Sequence, residues 1–177
     1  MNEPYRLTEW FAKPQQIPAG RLFTCARPGR SLGRRQAHIG DEYVLRWVAG
    51  LPASEEETII VSLLGKKPDG LSEFSYYSFR GGFEYHRPNC PTFGEWLNAN
   101  CRPRKFEVYE FPTIDLLVPG EDLKHRAVST ILSFLEVGKT VVIVDSGGIG
   151  RTGNLLSTLS ERLGVELLPQ QIQPRAR

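Results

Sequence analysis

The chain is short of the residues that staple or metallate small proteins. Its three cysteines, Cys25, Cys90 and Cys101, are odd in number and irregularly spaced, which supports neither a disulfide framework nor a Cys/His zinc site. His38, His86 and His125 add no ligand spacing, so no metal and no cofactor is expected. An excess of one charge sign is missing too. Lys plus Arg number 22 against 20 for Asp plus Glu, far from the basic balance of a dedicated nucleic-acid binder. No stretch approaches the roughly 20 apolar residues of a membrane span, and Met1-Asn2-Glu3-Pro4 carries no apolar signal region. Repeats and low-complexity tracts are absent as well. The expectation is a cytoplasmic protein that engages neither nucleic acid nor membrane.

What is present is ordinary for one globular domain: 177 residues, 40% hydrophobic and 24% charged. Residues 1–20 read as an irregular N-terminal segment and residues 21–177 as the domain. Arg27, Arg30, Arg34 and Arg35 form the one local charge bias. A solvated basic loop is its plain reading, and attraction of an acidic or phosphorylated partner the alternative.

Regular elements follow from periodicity. Arg21 to Cys25 reads as a strand ended by the turn at Arg27-Pro28-Gly29. From Asp41 the spacing of Tyr43, Val44, Trp47 and Val48 predicts a helix stopped at Gly50. Thr58 to Leu64 is a largely apolar, β-branched run, as in a strand buried on both faces of a parallel sheet. Lys66 to Gly82 reads as a polar excursion dotted with aromatics. Thr92 is placed to cap a short helix through Trp96 and Leu97, and Phe106 to Phe111 alternates like a strand broken by Pro112. Glu121 to Val137 carries Leu123, Ala127, Ile131, Leu132 and Leu135 at helical spacing, with Gly138 just past its end. Val141 to Val144 is a second fully apolar strand, and Arg151 to Leu163 a second long helix. No strand is evident after Gly153. Strand and helix alternate, so the fold class is α/β: a single domain with a mostly parallel central sheet flanked by helices.

The chemistry is concentrated where the strand at Thr140 meets Ser146-Gly147-Gly148-Ile149-Gly150 and passes into a helix. Glycine lets the chain coil without Cβ clashes, so successive backbone N–H groups converge with the helix N-terminus into an anion cradle. Arg151 adds a planar fork suited to two phosphate oxygens. A Walker A loop requires Lys then Ser or Thr after its second glycine, at a spacing that Arg151-Thr152 does not meet. Gly148-x-Gly150-x-x-Gly153 matches the dinucleotide fingerprint literally, but neither the following strand nor the acidic ribose ligand is in place.

Val144-Asp145-Ser146-Gly147-Gly148-Ile149-Gly150-Arg151-Thr152-Gly153 resembles the protein tyrosine phosphatase signature, His-Cys-x-x-Gly-x-x-Arg-Ser/Thr-Gly. Upstream, Phe111 to Pro119 is similar to the acid loop of the compact, dual-specificity branch of that family. Ala26-Arg27-Pro28-Gly29 is similar to an early motif of the same enzymes. The resemblance runs from about Arg21 to Leu163. It implies Asp115 as general acid, a phosphate bound by Ser146, Gly147, Gly148, Ile149, Gly150 and Arg151, a catalytic set of Asp145, Arg151, Asp115 and Thr152, and a phosphorylated protein or other phosphomonoester as partner. The family's nucleophile is a thiolate, and here its position holds Asp145, preceded by Val144 in place of histidine. No cysteine substitutes: six residues beyond Cys25, Cys90 and Cys101, where the loop-closing arginine belongs, stand Ser31, Trp96 and Glu107.

A carboxylate can attack phosphorus, but that chemistry usually relies on magnesium to neutralise the approaching charges. Asp145 is instead placed to accept the cradle's N–H groups and to pair with Arg151, filling the site from within. The expectation is a catalytically silent phosphatase-like domain. The alternatives are an active phosphomonoester hydrolase using Asp145 or a metal, and a designed Cys-to-Asp replacement, against which Val144 counts. Ser146 and Thr152 are also ordinary helix-capping types, Asp115 an ordinary turn residue, and His125 reads as an exposed helical residue.

Overall fold

The structure is a computed structural model that describes residues 7–12, 19–29, 38–52, 57–65, 75–76, 91–114, 117–147 and 150–172. Four strands make its parallel centre: β2 (Arg21–Ala26), β4 (Thr58–Ser62), β6 (Phe106–Glu110) and β7 (Thr140–Asp145). Every residue of β4 and β7 is buried. Such continuously apolar runs are stable only when both faces of the sheet are covered. β1 (Leu7–Ala12) and β8 (Leu167–Ile172) extend the sheet antiparallel, giving the order β6-β4-β7-β2-β1-β8. A separate pair joins β3 (His38–Ile39) to β5 (Ser75–Tyr76).

Alternation along the strands divides the core in two. Phe23, Cys25, Ile60, Val142 and Val144 face α1 (Asp41–Gly50) and α2 (Phe93–Asn100), which contribute Val44, Trp47, Val48, Phe93, Trp96 and Leu97. Leu22, Ile59, Val61, Val141 and Ile143 face α3 (Glu121–Glu136) and α4 (Gly150–Leu163), which contribute Ala127, Ile131, Leu135, Leu155 and Leu159. The result is the three-layer α/β arrangement expected from the alternating pattern. Local chemistry sets the helix ends. Thr92 and Glu95 form a reciprocal capping box on α2, which contributes about 1 kcal/mol. Gly138, at φ +80°, turns the chain out of α3, and the Lys139 N–H reaches back to the Phe134 carbonyl at 3.0 Å.

Two sequence expectations are corrected. Residues 1–20 are not wholly irregular, because β1 lies inside the sheet between β2 and β8. Its polar look arises from Glu9, which is held by Arg21 at 2.9 Å, and from Thr8, which alternates with buried Leu7 and Glu9. A strand does follow Gly153. β8 contains Pro169, opposite Trp10, and proline reads as a breaker. On an edge strand its missing N–H costs no second ladder. The polar excursion at 66–82 lies outside the described residues except for β5. No helix among the described residues is long and apolar enough to cross a membrane.

Candidate functional site: a buried carboxylate at the end of β7

The carboxyl ends of β6, β4, β7 and β2 share one edge of the sheet, since all four run parallel in register. After β2 the next helix, α1, covers one face; after β7 the next helix, α4, covers the other. Adjacent parallel strands whose helices leave in opposite directions open a crevice between them, the usual ligand position in such sheets. Ala26 and Asp145 are register partners on its two sides. The Arg27 N–H ties the lips together by donating to the Asp145 carbonyl at 2.9 Å.

Asp145 ends β7 with only 2% of its surface exposed. Its Oδ1 accepts the Gly147 N–H at 2.8 Å, and its Oδ2 accepts both the Thr152 N–H and the Thr152 hydroxyl at 3.0 Å. Thr152 lies in the first turn of α4, where backbone donors have no partner within the helix, and a negative charge there is favoured by the helix dipole. The carboxylate therefore takes donors from the loop and from the helix end at once. Ser146 and Gly147 are half-buried and Gly150 opens the helix on its exposed side. Gly148 and Ile149 lie outside the described residues.

Arg151 is buried on the same turn. Its Nη1 donates to the Leu63 carbonyl at 3.1 Å and the Thr113 carbonyl at 3.2 Å. These carbonyls belong to the segments leaving β4 and β6, so the guanidinium joins three loops. The Thr113 hydroxyl donates to the same Leu63 oxygen at 2.9 Å. Gly65 makes the junction possible: a Cβ there would sit 2.2 Å from the Thr113 oxygen. Asp115 lies outside the described residues, two positions beyond Thr113.

Arg27 departs from the sequence expectation. Far from belonging to a solvated basic loop, it is 2% exposed, with Nη1 donating to the Pro28 carbonyl at 3.1 Å. Arg30, Arg34 and Arg35 lie outside the described residues. Beneath the crevice, burial pushes the Cys25 thiol up to about 12, with the Trp47 side chain opposing and the Asp145 charge adding to the shift. Such a thiol is a packing group, not a nucleophile. His125 is exposed on α3, 4.0 Å from Glu121. No group of three or more His, Cys, Asp or Glu that could hold a metal occurs among the described residues.

Sequence reasoning missed Leu63 and Thr113 as partners of Arg151. A carbonyl acceptor leaves no mark in a residue's identity. The hint was positional, since Leu63 follows β4, which lies beside β7, and Thr113 follows β6, one strand further along the same sheet edge. Comparison of the chain with protein-family models, with curated proteins and with solved structures finds no match in any of the three. The functional reading rests on the residues of the site and their geometry.

Proposed function

We propose that the chain is a phosphatase-like domain, related in its site to the compact dual-specificity branch of the protein tyrosine phosphatases, that binds without turning over. The observation that carries this reading is the Asp145 carboxylate, buried at the end of β7 and accepting hydrogen bonds from Gly147 and Thr152. An anion held by backbone N–H groups and a helix end is the role a phosphate plays in such a cradle. Here the protein supplies the anion itself. A carboxylate in that position repels an incoming phosphate dianion and occupies its donors, so phosphate affinity is weak and no thiolate is available to attack. Arg151 fits the role of loop closer, and Asp115 that of the general acid in a relative with turnover.

The test is to replace Asp145 with cysteine and assay a chromogenic phosphomonoester. The wild-type chain is expected to give no hydrolysis across common divalent ions, and Asp145→Cys to gain it. A correctly folded Asp145→Cys variant without activity counts against the phosphatase-like reading. An acyl phosphate trapped on Asp145 in the wild type replaces the silent domain by an active hydrolase.

A further inference from the structure

β6 ends the six-stranded sheet: β4 lies along one of its sides, and among the described residues no strand lies along the other. Which residues serve each side follows from the ladder. The Thr58 N–H donates to the Lys105 carbonyl at 2.9 Å, and the Phe111 N–H to the Ser62 carbonyl at 2.8 Å. Main-chain groups of successive strand residues point to opposite sides, so the odd-numbered residues from 105 to 111 serve β4. Phe106, Val108 and Glu110 turn their N–H and C=O groups outward.

Asn98 on α2 obeys the same parity. Its Nδ2 donates to the Phe106 carbonyl at 2.7 Å, and its Oδ1 accepts the Phe106 N–H at 2.9 Å. A carboxamide carries the donor and acceptor of a peptide unit, so α2 supplies the first rung of a ladder that no described strand continues. Past that rung Val108 is half-buried and Glu110 exposed. α2 passes Val108 at Gly94, which has no side chain to cover it; a Cβ there would lie 4.0 Å from the Val108 nitrogen. The opposite sheet edge, β8, carries Pro169, which has no N–H to offer a new strand. β6 therefore keeps two donors and two carbonyls at a two-residue interval of about 6.6 Å, an arrangement that pairs with an extended main chain.

The side chains narrow the occupant. Val108 and Glu110 share one face of the strand, where Val108 packs against the core beside α1 and α2. Glu110 has no ion pair among the described residues, whereas Glu107 on the other face accepts the Tyr109 hydroxyl. A second copy of β6 is a poor match. In each antiparallel register that leaves Asn98 in place, Glu110 meets either Glu110 or Val108, and the carboxylate gains no cation. We propose that the outer side of β6 binds an extended segment of a partner polypeptide as a further strand, with an aliphatic residue opposite Val108 and Lys or Arg two positions away opposite Glu110.

The probe is the peptide Ac-Lys-Thr-Val-Thr-Lys-NH2, whose symmetric pattern presents Val to Val108 and Lys to Glu110 in either strand direction. It is titrated into the isotope-labelled full chain and followed by NMR. The Val108 and Glu110 amides are expected to shift and to gain protection from exchange. A twin N-methylated at Val and both Lys keeps the side chains but loses the donors that face β6, and should bind about tenfold more weakly or worse. A twin with Glu for both Lys should also bind more weakly to the wild type, and Glu110→Lys should reverse that preference, with matched melting curves showing that the variant folds. The proposal is overturned if the two amides do not respond, if the N-methylated twin binds equally, or if Glu110→Lys leaves the preference unchanged. A concentration-dependent dimer that protects the same amides without peptide overturns it in favour of a second copy. Binding at β6 does not draw on the phosphatase-like reading, so the outcome of the Asp145→Cys assay leaves it untouched.

Discussion

On the proposed reading, replacing Asp145 with alanine empties an anion cradle, and the structure sets the cost. Three donors lose their acceptor: the Gly147 N–H, the Thr152 N–H and the Thr152 hydroxyl. Hydrogen bonds to a charged group each contribute about 1.5–3 kcal/mol, but removing a buried carboxylate also removes its desolvation penalty. Half-cancellation leaves a net loss of about 3 kcal/mol, which for a domain of this size lowers the melting temperature by about 6–12 °C. The same variant acquires a vacant anion site, so phosphate or sulfate should restore stability. Saturation at a hundredfold over Kd returns about 2.7 kcal/mol. The wild-type chain, with its site filled, should gain almost nothing from the same anions. Differential scanning fluorimetry of both proteins in chloride and in phosphate reads the four values. The reasoning is refuted if the variant melts with the wild type in chloride, or if phosphate stabilises both equally.

The other predictions probe the supports. Gly65→Ala forces a Cβ against the Thr113 carbonyl, at 2.2 Å before relaxation; a loss of about 1–3 kcal/mol in denaturant midpoint is expected, and no loss would mean the 63–65 and 111–114 segments separate freely. Cys25, whose thiol is raised to about 12 by burial, should resist iodoacetamide in the native protein and react once the chain is unfolded; native labelling mapped to Cys25 by mass spectrometry would contradict its burial. The raised thiol also fixes a pH trend. Its contribution is fully present below the ordinary thiol value of 9.0 and is lost as pH rises toward about 12, because only the unfolded chain releases the proton there. Stability should fall by about 1.4 kcal/mol per pH unit across that window, and Cys25→Ala should flatten the slope measured by urea titration.

Much of the fold was legible because its strongest signals are local. Val141 to Val144 and Thr58 to Ser62 are apolar on both faces, and the parallel centre of a covered sheet is where such runs are stable. The helices at 41–50, 93–100, 121–136 and 150–163 follow apolar stripes and caps visible in the residues themselves. β1 and β8 were illegible for the opposite reason. β8 has β1 as its sheet partner, about 160 positions away, and β1 is held between β8 and β2, so neither Glu9 nor Pro169 favours a strand until those registers are formed.

The site divides in the same way. The proposal that an anion cradle begins at Asp145, in the position where the resembled family carries its thiolate, rests on residue identity and spacing, which are legible in the sequence. Which donors the carboxylate accepts, that Arg27 is buried at the crevice, and that Arg151 grips the carbonyls of Leu63 and Thr113 were decided by tertiary structure. Those contacts join residues 38 and 88 positions apart along the chain. Backbone carbonyls are identical at every position, so only their convergence in space could select them.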